Sequence, residues 1–139
     1  LSSNPKSTLY LRSYIQALVF NGEEVSACWK LAECEKAGLK SEQLDEIKKG
    51  LSPLLEVIEG FETLGGGTVT DRLFNIVKGR PLSYELNNFL GTVYKQEKSS
   101  YAALKQYQKA IISKPENPSS YFFIDLILFD DFIKFLLFF

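Results

Sequence analysis

The sequence predicts an all-α protein of seven or eight short helices joined by tight connections. Three observations carry that expectation. Apolar residues recur at helical spacing along most of the chain, Gly and Pro fall where helices would end or begin, and no apolar/polar alternation bounded by Asn-Gly or Asp-Gly turns marks a strand. Hydrophobic residues make up 45% and charged residues 24%, a balance that buries a core and argues against disorder. The 139 residues are expected to form one domain, 1–139. With no Met, the sequence reads as a piece of a longer polypeptide; it contains no basic leader followed by an apolar stretch, and a secretory signal upstream of the piece stays open.

The helices follow in order. Asn4-Pro5 suits a helix entrance, with Tyr10, Leu11, Tyr14, Ala17 and Leu18 expected on one inward face and Asn21-Gly22 as the stop. A second helix over 23–37 carries Ala27, Cys28, Leu31 and Cys34 inward, and Gly38 closes it. Ser41 caps a short charged helix over 42–49 that ends at Gly50. Ser52-Pro53 then reads as the cap and first turn of a new helix to Leu64, with Leu54, Leu55, Ile58 and Phe61 inward. Gly65-Gly66-Gly67 breaks the chain. Thr68 and Asp71 open a helix through Val77 that buries Leu73, Phe74 and Val77, and Gly79 and Pro81 end it. Helices over 84–96 and 100–113 follow, then a turn at Pro115-Glu116-Asn117-Pro118 and an almost wholly apolar tail.

Most familiar chemistry is missing from this inventory. With no histidine, Ser-His and Cys-His nucleophilic pairs are excluded and the commonest general base and metal ligand is lost. Glu23-Glu24, Glu33-Glu35 and Asp45-Glu46 lie among lysines and read as solvated helix faces, and Asp130-Asp131 has no partner set for a metal. Gly65-Gly66-Gly67-Thr68 lacks the Gly-Lys-Ser/Thr and the preceding strand of a phosphate loop. Cys28 and Cys34 point to different sides of one helix and read as buried small hydrophobes. A net charge of −1 provides no field for nucleic acid, and Trp29 and the tyrosines read as core because basic residues do not interleave them. No cofactor is expected.

A repeat supplies the positive evidence. Leu90-Gly91, Tyr94, Ala103, Tyr107, Ala110 and Pro115 stand at the spacing of a tetratricopeptide repeat, and only the leading aromatic is replaced, by Asn87. Residues 84–117 therefore resemble that family. Gly91 and Ala103 would sit where the two helices come closest, Leu90, Tyr94 and Tyr107 would fill the space around them, Ala110 would admit the next repeat, and Pro115 would stop the second helix. One period on, Tyr121, Ile124 and Leu128 take repeat positions while Asp125 replaces the glycine, giving a broken copy from 118. A worn copy is expected at 8–41, where Leu18, Ala27, Leu31 and Cys34 match Tyr94, Ala103, Tyr107 and Ala110, with Ile15 in place of a small residue and Leu39 in place of Pro.

The resemblance implies an α-solenoid of antiparallel hairpins that binds a protein or peptide in its concave groove without catalysis. The groove residues it implies are Arg12, Gln16 and Val19 from the first unit and Asn88, Thr92 and Lys95 from the clear one. Phe89 and Ser13 stand where a carboxylate clamp would want polar groups, so no clamp is expected. Asp125, Asp130, Asp131 and Lys134 interrupt the tail and weigh against a membrane span; residues 121–139 are expected instead to pack on the preceding hairpin and on further repeats, a partner or a second copy of the chain, so self-association is one of three open outcomes. A cytoplasmic location is expected. Two rival readings remain: the recruiting region of a larger enzyme, such as a repeat-linked glycosyltransferase or sulfotransferase, and an assembly factor held at a membrane by the tail.

Overall fold

Every regular element among the described residues is a helix. The structure is a computed structural model and describes residues 5–39, 41–64, 69–116 and 118–138. The helices are α1 (Pro5–Phe20), α2 (Glu24–Lys36), α3 (Glu42–Leu64), α4 (Thr70–Gly79), α5 (Tyr84–Gln96), α6 (Ser100–Ser113) and α7 (Pro118–Phe138). The entrance at Asn4, the break at Gly65-Gly66-Gly67, the Thr68 cap and Asn117 of the closing turn lie outside the described residues.

Sharp chain reversals follow from the helix ends. At the end of α1, Gly22 takes φ +78° and places the Glu23 amide on the Leu18 carbonyl (2.8 Å) and its own amide on Val19 O (3.2 Å). Gly38 repeats the arrangement after α2, with Leu39 N on Cys34 O and Gly38 N on Glu35 O, both 3.0 Å. After α5 the same left-handed position is taken by Lys98, at φ 62°, a conformation in which its Cβ crowds the backbone. Ser41 accepts from the Leu44 amide (3.1 Å) and opens α3, while Ser83 accepts from Leu86 N (3.2 Å) and opens α5.

The expected pair of helices over 42–64 is one. Gly50 and Pro53 punctuate the sequence, yet α3 runs through both for 23 residues. The apolar stripe explains why: Leu44, Leu51, Leu54 and Val57 are buried on one continuous helical phase, and Ile47, Leu55, Ile58 and Phe61 pack beside them. Burying four such side chains is worth about 1.5–3 kcal/mol each. That exceeds the roughly 3 kcal/mol and 1 kcal/mol that an interior Pro and Gly cost.

Three further expectations need correction. On α1 the buried positions are Thr8 and Ile15, flanked by the half-buried Leu11, Leu18 and Val19, while Tyr10 (81% exposed), Tyr14 (53%) and Ala17 face outward. The helix is rotated from the expected face because Thr8, Leu11, Ile15 and Leu18 keep helical spacing on one line and Tyr10 does not join it. Trp29 stands 52% exposed on α2 beside the buried Cys28, and Phe74 is exposed on α4 beside the buried Leu73 and Val77. Ala27, Cys28, Leu31 and Cys34 are buried as expected.

The side chains gather into two cores. The larger joins α1 to α5 through Ile15, Leu31, Leu54, Leu73, Leu86 and Leu90; the smaller consists of Ala103, Tyr107 and Ile127 between α6 and α7. Tyr94 touches both. The α5–α6 pair is the most extensive contact in the fold. Its closest approach is at Gly91, where an added Cβ would stand 2.7 Å from the Tyr107 ring, so the glycine is what lets the fully buried Tyr107 lie across α5. Leu90, Ala103 and Ala110 are buried, Tyr94 is half-buried, and Pro115 is exposed just past the end of α6. Asn87, in the place of an aromatic, is itself buried and donates to Pro81 O (3.0 Å) and Ser83 O (2.8 Å), tying the α4–α5 turn to the helix it starts.

Beyond the buried Ile127, the described side chains of α7 are exposed, among them Leu128, Phe129, Phe132 and Leu137. Among the described residues no helix is long and apolar enough to cross a membrane.

Candidate partner-binding cleft

An apolar cleft of about 510 Å3 opens between α1, α3 and α4. Val19 and Phe20 of α1 form one wall, Ile47, Leu51 and Leu54 of α3 the other, and Ile76 of α4 closes the end. Gly50 lies on the α3 wall and leaves it open, since nothing stands within 4 Å of where its Cβ would be. The Pro53 ring, which has no N–H to satisfy, is exposed on the same wall. Glu24 and Arg80 bring the charge to a lining that is apolar apart from them and Gln16.

That charged corner belongs to a polar seam joining the starts of α2 and α5. Two helix N-termini side by side bring partial positive charges together, and carboxylates answer them. Glu85 of α5 accepts from Ser26 N (2.9 Å) and Ser26 Oγ (2.6 Å), capping α2 from a distant part of the chain where α2 has no side-chain cap of its own. Ser83 Oγ donates to Gly22 O (3.1 Å) and also meets Glu24 Oε2. Arg80 reaches Val19 O (3.0 Å) and stands 3.3 Å from Glu24 Oε1, which has no hydrogen-bond donor among the described residues.

Burial sets the electrostatics. Glu24 is 2% exposed, and its removal from water pushes its carboxyl above the usual range, opposed in part by the Ser83 hydrogen bond and the Arg80 charge. Glu23 moves the other way: hydrogen bonds from Asn21 (3.0 Å) and Tyr84 (2.8 Å) favour its charged form and lower its pKa. Lys114 lies 4.6 Å over the Tyr84 ring and adds to that effect. Burial pushes the Cys28 thiol up to about 12, so it stays protonated and unreactive. Among the described residues no cluster of His, Cys, Asp or Glu could hold a metal ion.

The six residues expected to line a groove divide. Gln16 and Val19 line the cleft, and Arg12 lies half-buried on α1 outside its lining. Asn88, Thr92 and Lys95 are half-buried on α5, away from the cleft. Thr92 is turned into its own hairpin, donating to Asn88 O (3.0 Å) with its hydroxyl 3.0 Å from Tyr107 Oη. The α3 wall was missed, because reading 42–49 and 53–64 as separate helices hides that Ile47, Leu51 and Leu54 share a face. A gap in an apolar stripe at Gly50 was the one signal for it.

Comparison with protein-family models, with curated proteins and with solved structures finds no match for this chain.

Proposed function

We propose that the chain is a non-catalytic recognition scaffold of tetratricopeptide type, which binds a partner peptide or helix by seating an apolar side chain in the α1–α3–α4 cleft. The cleft carries the reading: it is concave, apolar and open, with Arg80 and the buried Glu24 carboxylate at one end to orient a polar group of the ligand. The α5–α6 hairpin supports the family assignment through Gly91 and Tyr107, whose contact needs a residue without a side chain. The solenoid in this proposal is irregular, since α3 is far longer than a repeat helix and α1 buries Ile15 where a small residue would be wanted.

The test is selection of random 12-residue peptides displayed on phage against the purified chain. Enriched peptides sharing one apolar anchor are expected, and Gly50→Trp, which fills the cleft from a position with open space around it, should abolish their binding while the helical signal and melting temperature are kept. Peptides that bind Gly50→Trp as well as the parent would refute the cleft as the binding site.

A further inference from the structure

A second furrow runs along the other flank of α3, against α2. Two cavities of about 330 and 300 Å3 lie end to end there and share Leu31, Glu35 and Lys48. The Lys48–Glu35 ion pair spans the furrow where they meet. The floor is apolar: Leu31 and Cys34 of α2 and Leu44 of α3 at one end, Ala32, Leu55 and Ile58 at the other. Trp29 forms part of the wall and is half exposed.

The rim is one-sided in charge. Among the described residues, Glu35, Asp45, Glu59 and Glu62 line the furrow against a single cation, Lys48. Four carboxylates against one ammonium leave three net negative charges here, on a chain whose formal net charge is only −1. Glu59 and Glu62 sit one helical turn apart at the Trp29 end, both exposed, and no ion pair holds either among the described residues. From Leu44 to Glu62 the α3 edge is about 27 Å long at 1.5 Å per residue. That matches an extended segment of about eight residues.

We propose that the α2–α3 furrow docks a basic, amphipathic segment of a partner protein, whose apolar side chains rest on the Leu31–Ile58 floor while Arg or Lys side chains reach Glu59 and Glu62. The apolar floor supplies affinity and the unanswered rim supplies the sign of the partner's charge. A guanidinium at the Trp29 end gains twice, from the two carboxylates and from stacking on the exposed indole. The furrow is independent of the cleft on the opposite flank of α3, so each reading stands or falls separately.

Trp29 is the only tryptophan in the chain and serves as the reporter. The full chain is titrated with acetyl-(Leu-Arg)4-amide and, separately, acetyl-(Leu-Glu)4-amide while indole emission is followed. A saturable spectral shift is expected with the basic peptide only, weakened at least tenfold in Glu59→Lys/Glu62→Lys and unchanged in Gly50→Trp monitored by the displacement of a fluorescein-labelled copy of the peptide. The pair Glu46→Lys/Glu56→Lys makes the same charge change at exposed α3 positions outside the furrow and should leave affinity within about twofold. If the reversed pair lowers helicity, Glu59→Gln/Glu62→Gln replaces it. Equal binding of the acidic peptide, unchanged affinity in the Glu59/Glu62 variants, or an equal loss in the Glu46/Glu56 control would each overturn the proposal. Loss of phage-selected peptides in Gly50→Trp with retention of the basic peptide would separate the two sites.

Discussion

Gly91→Ala should destabilise the protein, although alanine is the better helix former. The methyl group would arrive 2.7, 2.8 and 2.9 Å from Cε1, Cδ1 and Cζ of Tyr107. Carbon atoms pack at about 3.5–4.0 Å, so the ring would have to move by close to 1 Å. It cannot do so freely, because Tyr107 is fully buried and its hydroxyl is held by Thr92. Replacing a mid-helix glycine by alanine contributes about 1 kcal/mol in favour of the variant. Overpacking a rigid site costs about 1–3 kcal/mol and more where the neighbour is trapped. With about 2–3 kcal/mol of overpacking for a ring held this firmly, the expected net loss is about 1–2 kcal/mol, a fall of about 3–6 °C in melting temperature for a chain of this length. Urea denaturation followed by circular dichroism at 222 nm, with the same substitution made in a Tyr107→Leu background, decides the matter. In that background the obstruction is gone, and Gly91→Ala should turn stabilising. Stabilisation of the parent itself by Gly91→Ala would refute the claim that close approach at Gly91 shapes the hairpin.

Two other outcomes follow from the helix ends and the seam. Lys98→Gly, which relieves the left-handed backbone after α5, is expected to stabilise by about 0.5–1 kcal/mol in the same urea assay, once the greater freedom of glycine in the unfolded chain is set against the relief of strain. Glu24→Gln removes a carboxylate whose folded pKa is raised by burial, so the folded state holds the proton more tightly than the unfolded chain does. Its stabilising share is complete below the unfolded pKa and is lost as pH rises through the folded value. The parent should therefore lose stability relative to Glu24→Gln as pH increases from 4.5 to 7.5, and parallel stability curves for the two over that window would contradict the assignment.

The α5–α6 hairpin was legible in the sequence because its close contacts need small residues at fixed spacing, and Gly91 and Ala103 carry that requirement visibly. Element ends at Gly22, Gly38 and Ser41 were legible from local turn and capping chemistry, whereas the Ser83 cap was not read. Local punctuation misled at Gly50 and Pro53, where the buried stripe of α3 outweighs both breakers. The α1 face was misread because Tyr10 and Tyr14 look like core residues by type, and only Ile15 at the centre of the cluster shows which way the helix turns. Of the six expected groove residues, Gln16 and Val19 line the cleft, whereas Arg12, Asn88, Thr92 and Lys95 lie outside its lining. The seam was not legible at all: Ser26 and Glu85 are ordinary polar residues until tertiary structure brings them together across 59 positions.

That separation governs the order in which the protein assembles. Closing a loop of 59 residues costs about 3.6 kcal/mol of chain entropy plus a constant, which offsets most or all of the roughly 2–4 kcal/mol that the two hydrogen bonds from Ser26 to Glu85 return together. The Ser26–Glu85 link therefore has little net drive to form first and is expected to form after α3 and α4 have collapsed on α2 and brought the two helix starts within reach. Removing Glu85 should accordingly speed unfolding while leaving the folding rate almost untouched, which makes the seam a latch on a finished structure.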